Sequence, residues 1–226
     1  MRIYAHRGAA LECPENTMPA FRRALELGAD ALETDVRATA DGVLVTAHDE
    51  DGARVFGIPR RIAECRFAEV HEWGVPSLEE VVTAFPAVPL NVDLKVDEAA
   101  EAAVELLRRL GAEERVTLAS FRSGTLRRVR RLGYRGPTGL GRGEVARLVA
   151  LPAAVQHGPL APRGHAAQLP LYLAKSWVIR RCHALRLRVD YWTVNEPALA
   201  QGLAAMGADG IMTDDPRAIV RAIRGG

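Results

Sequence analysis

The sequence predicts a single (β/α)8 barrel, an α/β fold of the TIM type. Short apolar runs alternate with helical patterns from one end to the other. Glycines stand just past the helical stretches and just before the next apolar run. The length of 226 residues suits one barrel, since such folds commonly run to about 200–250 residues as one unit. An open doubly wound sheet is the alternative that the same alternation allows.

The first strand is read at Arg2–Ala5, leading into His6-Arg7-Gly8. A helix follows over Thr17–Leu27, where Phe21, Ala24, Leu25 and Gly28 are spaced for one buried face and a glycine terminus. The second strand is Ala31–Val36, and the short run Val43–Thr46 pairs locally at the rim. Asp49–Pro76 has weak periodicity and several turn formers, so it reads as a surface excursion over one barrel end and not as a second domain. The third strand is Leu90–Val96 with a helix at Glu98–Leu110, and the fourth is Arg115–Ser120 with a helix at Ser123–Leu132. Gly136–Leu140 and Ala153–Gln156 are read as the fifth and sixth strands, followed by a helix at Leu173–Leu185. Arg188–Val194 with helix Pro197–Met206, then Gly210–Thr213 with helix Pro216–Ile223, complete eight units. Gly28, Gly111, Gly133 and Gly207 each occupy the helix-to-strand corner, where a left-handed residue closes the helix. Residues 1–226 are read as one domain.

Composition narrows the function classes. Thirty basic and 28 acidic residues give a formal charge of +2, so no strong field draws in nucleic acid or anionic lipid. The run Arg127-Arg128-Val129-Arg130-Arg131 has the spacing of a solvated helix face. Cys13, Cys65 and Cys182 are odd in number and far apart, matching neither a zinc site nor a disulfide framework. With no apolar N-terminal run and no stretch near the ~18–20 apolar residues of a membrane helix, a cytoplasmic protein without stable membrane association is expected. The sequence carries no signal for an oligomeric state.

In such a barrel the chemistry sits where strands end, on the C-terminal face. The first strand ends in His6 and Arg7, the second in Glu33-Thr34-Asp35, the rim run in His48-Asp49 and the third in Asp93-Leu94-Lys95. Strand residues alternate faces, so Glu33 and Asp35 point one way, and Asp93 and Lys95 are likewise paired. Carboxylates crowded into a barrel mouth repel one another and lose hydration unless positive charge lies between them. A hard divalent cation held by oxygen meets that need, and so does a salt-bridge cluster with Arg7 and Lys95. His6 and His48 suit general acid and base work near neutral pH. Arg7 and Lys95 suit phosphate oxygens. The constellation points to metal-assisted phosphoryl chemistry.

Five blocks then fall into one order: His6-Arg7-Gly8, Pro14-Glu15-Asn16-Thr17, Gly28–Val36, Asp41-Gly42 and His48-Asp49. In order and spacing they resemble the glycerophosphodiester phosphodiesterase family. Weaker similarity continues through Pro76–Glu80, Asp93–Lys95, Ser120-Phe121, Trp192–Asn195 and Gly210–Pro216. The resemblance implies a (β/α)8 fold, one Mg2+ or Ca2+ ion, and small-molecule glycerophosphodiesters hydrolysed to glycerol 3-phosphate and an alcohol. It makes His6 and His48 the acid–base pair, Arg7 and Lys95 phosphate contacts, and Glu33 and Asp35 metal ligands with Asp93 as the third carboxylate. Glu15 supports Arg7 or the metal from nearby, and Trp192 walls the glycerol. Asn16 or Thr17 caps the first helix, and Asn195 and Asp214 are expected to cap the helices that follow them. The departure is Asp93, where the family usually has Glu, one methylene longer. Two rival readings are a phospholipase-D-like enzyme of lysolipids, which needs an apolar rim, and an inactive barrel that binds phosphorylated metabolites.

Overall fold

The strands are short and apolar on both faces, the composition of parallel strands covered by helices outside and side chains within. The structure is a computed structural model and describes residues 1–225. Seven parallel strands form one curled sheet: β1 (Arg2–His6), β2 (Ala31–Ala38), β6 (Leu90–Leu94), β7 (Val116–Ala119), β8 (Ala166–Pro170), β9 (Arg188–Trp192) and β10 (Gly210–Thr213). They run in the order β7-β6-β2-β1-β10-β9-β8, with β3 (Leu44–Thr46) antiparallel on β2. The first and last strands of the chain are therefore neighbours, with Ala5 opposite Thr213. Residues 137–140 lie between the two edges of this sheet. The Gly139 amide donates to the Leu118 carbonyl at 2.9 Å, and the Leu140 amide donates to the Ala166 carbonyl at 3.0 Å. The architecture is TIM-like.

The outer layer is α1 (Met18–Glu26), α5 (Ala99–Arg109), α6 (Ser123–Arg131), α7 (Arg142–Ala150), α8 (Ser176–Ala184), α9 (Pro197–Ala205) and α10 (Pro216–Arg224). Their buried stripes meet the sheet in two clusters. One gathers Phe21, Leu32, Leu78, Leu94 and Leu107, and the other Ile3, Leu169, Ile179, Tyr191 and Leu203. Thr17 is the cap of α1, its side chain accepting from the Ala20 amide at 3.4 Å. At the N-terminal end of the ring Arg188 and Asp190 pair at 2.9 Å beneath Tyr4. Among the described residues no helix is long and apolar enough to cross a membrane.

Two sequence expectations are corrected, and a third gains detail. Ala153–Gln156 is no strand: residues 153–155 form a 3-10 turn, and the strand that follows is β8 at Ala166–Pro170. The intervening helix α7 went unread because Gly141 and Gly143 break its pattern. The helix expected at Leu173–Leu185 starts later, at Ser176, after a 3-10 turn over Leu171–Leu173. Asp49–Pro76 does lie outside the ring, but it is built. It holds β4 (Asp51–Gly52), α2 (Ala53–Phe56), β5 (Ile58–Arg61) and α3 (Phe67–Glu72), and α4 (Leu78–Ala84) follows. Val45, Ile62, Cys65, Val70 and Val75 give it a small core of its own.

The turn after β1 needs a glycine. Gly8 has φ +85°, and a Cβ there would lie 2.7 Å from the Ala20 carbonyl carbon. Left-handed φ and a backbone clash add, so Gly8→Ala is expected to lower stability by about 2 kcal/mol or more. Urea unfolding checks this, and an unchanged midpoint would show that α1 can retreat from the turn.

Candidate active site

Register sets the site. His6 stands opposite Glu33 across β1 and β2, Glu33 opposite Asn91, and Asp35 opposite Asp93 across β2 and β6. The Ala47 amide donates to the Asp35 carbonyl at 2.9 Å, which brings the loop after β3 over the end of β2 and carries His48 with it. Arg37 Nε donates to the His48 carbonyl at 2.9 Å and fixes that loop. His6, Arg7, Glu33, Asp35, His48, Asp93, Lys95 and Trp192 all line one cavity of about 770 Å3 at the C-terminal end of the ring. Glu15 stands behind Arg7, accepting from its Nη1 at 3.1 Å.

The two imidazoles are held alike. His6 Nδ1 lies 2.6 Å from Asp214 Oδ1, and His48 Nδ1 lies 2.7 Å from Asp49 Oδ1. A carboxylate only accepts, so each Nδ1 carries the donated hydrogen and each Nε2 is left to exchange a proton with a ligand. Asp214 is itself clamped: Asn195 Nδ2 donates to its Oδ2 at 2.8 Å, and its amide donates to Asn195 Oδ1 at 2.9 Å. This overturns the capping expected of both residues. The cap of α10 is Asp215, which accepts from the Ala218 amide at 2.9 Å, and α9 has no side-chain cap. Burial pulls the His6 pKa down, but the Glu33 charge and the Asp214 bond outweigh it and hold it above the ordinary imidazole value.

The carboxylates face two cations. Lys95 Nζ lies 2.7 Å from Asp35 Oδ1 and 2.6 Å from Asp93 Oδ2. Arg7 Nε lies 3.0 Å from Asp35 Oδ2 without hydrogen-bond alignment. Burial raises the Asp35 pKa, yet Lys95 and Arg7 hold it below the usual carboxylate value. At Asp93 burial prevails over Lys95, and its pKa is raised. Burial likewise works against the charge on Lys95, but the two carboxylates keep its pKa raised. Asn16, which sequence reasoning left as a possible cap, is buried and donates from Nδ2 to Asp35 Oδ2 at 3.2 Å. Its Oδ1 accepts from the Thr34 hydroxyl at 2.7 Å.

Glu33 is the exception, with no lysine or arginine side chain paired with it. It accepts from the Arg7 amide at 3.0 Å and lies 3.9 Å from His6 Nε2. Burial, then repulsion from Asp35, pushes its carboxyl up to about 8. A folded pKa above the unfolded one means that the folded chain binds more protons. Stability therefore falls as pH rises from about 4.5 towards 8. In chelator, Glu33→Gln is expected to remove this loss and to be the more stable protein at pH 8. Thermal melts between pH 5 and 8 check it, and parallel curves for the two proteins would contradict it.

With Lys95 lodged between Asp35 and Asp93, no group of three or more acidic, histidine or cysteine side chains is disposed to hold an ion among the described residues. The donor set still fits one. Three buried carboxylates face two basic side chains, and Glu33 is short of positive charge. Oxygen donors of this kind suit a hard divalent cation.

The opposite wall is apolar and was missed in the sequence. Leu140, Val145 and Val149 come from the stretch that includes the unread α7, and Leu173 from the β8–α8 turn. Phe121 and Tyr172, exposed at 47% and 77%, stand at its rim. Phe121 also meets Trp192 edge-on at 5.5 Å.

Known proteins share this arrangement of chain. The chain is 35% identical to a probable glycerophosphodiester phosphodiesterase 2 of Mycobacterium tuberculosis, over 93% of this chain and 86% of that one. It is 28% identical to a glycerophosphodiester phosphodiesterase of Caldanaerobacter subterraneus, over 99% and 98% of the two chains. Among solved structures, a glycerophosphodiester phosphodiesterase of Agrobacterium tumefaciens superposes with a TM-score of 0.84 at 22% identity, covering all of both chains. An Oleispira antarctica phosphodiesterase, solved with the product sn-glycerol-3-phosphate, superposes at 0.83 and 23% identity, covering 99% and 96%. The sequence profile of the glycerophosphoryl diester phosphodiesterase family matches residues 6–218, so this chain belongs to that family of phosphoric diester hydrolases.

Proposed function

We propose that the chain hydrolyses glycerophosphodiesters to glycerol 3-phosphate and an alcohol, using one Mg2+ or Ca2+ ion and His6 and His48 as the acid–base pair. One observation carries the reading. Two imidazoles, each oriented through Nδ1 by a carboxylate, line a single cavity with a buried carboxylate cluster and the cations Arg7 and Lys95. The product seen in the Oleispira protein is consistent with the substrate class. The hydrogen bonds of residues 137–140 to both sheet edges support a closed (β/α)8 barrel, and the chain is read as one domain.

Glu33, Asp35 and Asp93 would hold the cation, and the Lys95 ammonium, which contacts Asp35 and Asp93, would turn from at least one of them to a phosphate oxygen. When bound, the ion supplies Lewis-acid polarisation of the phosphate and a template for the substrate. Arg7, braced by Glu15 at 3.1 Å, and Lys95 orient the phosphate. Trp192 walls the glycerol. One histidine takes a proton at Nε2 from the nucleophile, and the other gives one to the departing alkoxide oxygen. The nucleophile is water or the glycerol hydroxyl beside the ester; the second route closes a cyclic phosphate that water then opens.

The apolar wall and its exposed rim favour a second reading, cleavage of lysophospholipids. A coupled assay for glycerol 3-phosphate on the glycerol, ethanolamine and choline diesters, with choline release from lysophosphatidylcholine in parallel, tests both. Turnover of the small diesters supports the first reading; choline release alone would replace it with the second.

A further inference from the structure

The cavity holds one charge that the chemistry above does not use. Arg142, the first residue of α7, lines the same cavity as the carboxylate cluster. Its guanidinium lies over the Phe121 ring, 5.5 Å from the centroid, and Lys95 Nζ lies 5.7 Å from the same centroid. The two cations differ in how they are neutralised. Lys95 bonds Asp35 and Asp93, whereas Arg142 enters no salt bridge among the described residues. The acids of the neighbouring segments are committed elsewhere. Glu144, on the same helix, pairs with Arg130 at 3.1 Å and accepts from the Gly141 and Arg163 amides. Asp97 pairs with Arg122 and accepts from the Thr125 hydroxyl.

Leu140, Val145, Val149 and Tyr172 line the same cavity, and two of its carboxylates, Asp35 and Asp93, are bonded by Lys95. The guanidinium is exposed and unpaired, so it places a positive charge at the cavity wall that salt can screen. An aromatic face is the usual platform for a quaternary ammonium, and here Phe121 is already covered by a guanidinium. Phe121 is thus shared by both cations, one bonded to the carboxylates and one unpaired.

We propose that Arg142 selects the charge of the departing alcohol, favouring glycerophosphodiesters of neutral or anionic alcohols over those of cationic ones. The proposal rests on the diester-hydrolase reading and adds a specificity determinant to it. Because Arg142 acts on the alcohol and not on the reacting phosphorus, its effect belongs in KM more than in kcat.

The test compares kcat and KM on glycerophosphocholine, glycerophosphoglycerol and glycerophosphoinositol 4-phosphate, with the wild type, Arg142→Lys, Arg142→Gln and Arg142→Glu. The side chain is exposed, so the variants are expected to fold, which circular dichroism confirms. The wild type and Arg142→Lys should prefer the anionic diester and rank choline last. Arg142→Gln should level the ranking. Arg142→Glu should invert it, changing the anionic-to-choline ratio by about tenfold or more, chiefly through KM. The discrimination should shrink in 1 M salt, where charges are screened beyond about 3 Å. A ranking that is the same in wild type and Arg142→Glu would overturn the proposal. So would an equal loss on all three diesters, which would place Arg142 on the scissile phosphate. If the wild type releases glycerol 3-phosphate from none of them, the hydrolase reading itself fails and this proposal falls with it.

Discussion

His6→Ala and His48→Ala are each expected to lower kcat by at least ~10²-fold, the usual contribution of a positioned acid or base. Both side chains are partly exposed and reach into a cavity, so removing them should leave the fold intact. The effect should fall on kcat, because neither imidazole is needed to hold the ground-state phosphate beside Arg7 and Lys95. The pH dependence of kcat/KM should be bell-shaped, with the charge of Asp214 and its hydrogen bond to Nδ1 both raising the His6 pKa. Asp214→Asn removes one of those influences, so it should move the His6 limb to lower pH and reduce kcat less than His6→Ala does. A folded His48→Ala or His6→Ala protein with near-normal kcat would show that the histidine concerned is misassigned.

The second large effect is expected at Asp93, the third buried carboxylate of the cluster. Chelation should abolish turnover, and Mg2+ or Ca2+ should restore it. Asp93 lies opposite Asp35 in register, and Lys95 spans the two carboxylates. If Asp93 completes the cation site, directly or through one water, its charge matters more than its length. Asp93→Asn should then weaken metal binding by about 10–100-fold, and Asp93→Glu should be tolerated. If Asp93 serves only to neutralise Lys95, Asp93→Asn changes phosphate affinity and leaves the metal titration where it was. Calorimetric titration of the wild type and both variants separates these outcomes. Full turnover in excess chelator, from protein that contains no metal, would remove the cation from the account.

Much of this was legible in the sequence, because a parallel barrel places the last residues of every strand in one ring. The alternation of Glu33-Thr34-Asp35 and Asp93-Leu94-Lys95 set which side chains share a face, and all four charged groups do line the cavity. The roles of Asp214 and Asn195 were misread, since Asp and Asn before a helix look like caps. Closing the ring would have found them: the first and last strands become neighbours, Ala5 pairs with Thr213, and the next residue on each strand is His6 and Asp214. Asn16 gave no local signal, as its bond to Asp35 joins loop and strand 19 residues apart. Strand β8 was misplaced because Ala153–Gln156 is as apolar as Ala166–Pro170 and no local feature ranks them. That error also hid α7, and with it the apolar wall and Arg142.

The central claim is that this site cleaves a glycerophosphodiester with the help of a divalent cation. Phosphorus-31 NMR of the wild type with glycerophosphoglycerol tests it most directly, because it sees substrate, any cyclic phosphate and product at once. With Mg2+ or Ca2+ the diester resonance should decay into a single phosphomonoester, glycerol 3-phosphate, at a rate that His6→Ala and His48→Ala reduce by ~10²-fold or more; in chelator it should persist. A diester signal that outlasts prolonged incubation with folded, metal-loaded protein would contradict the account.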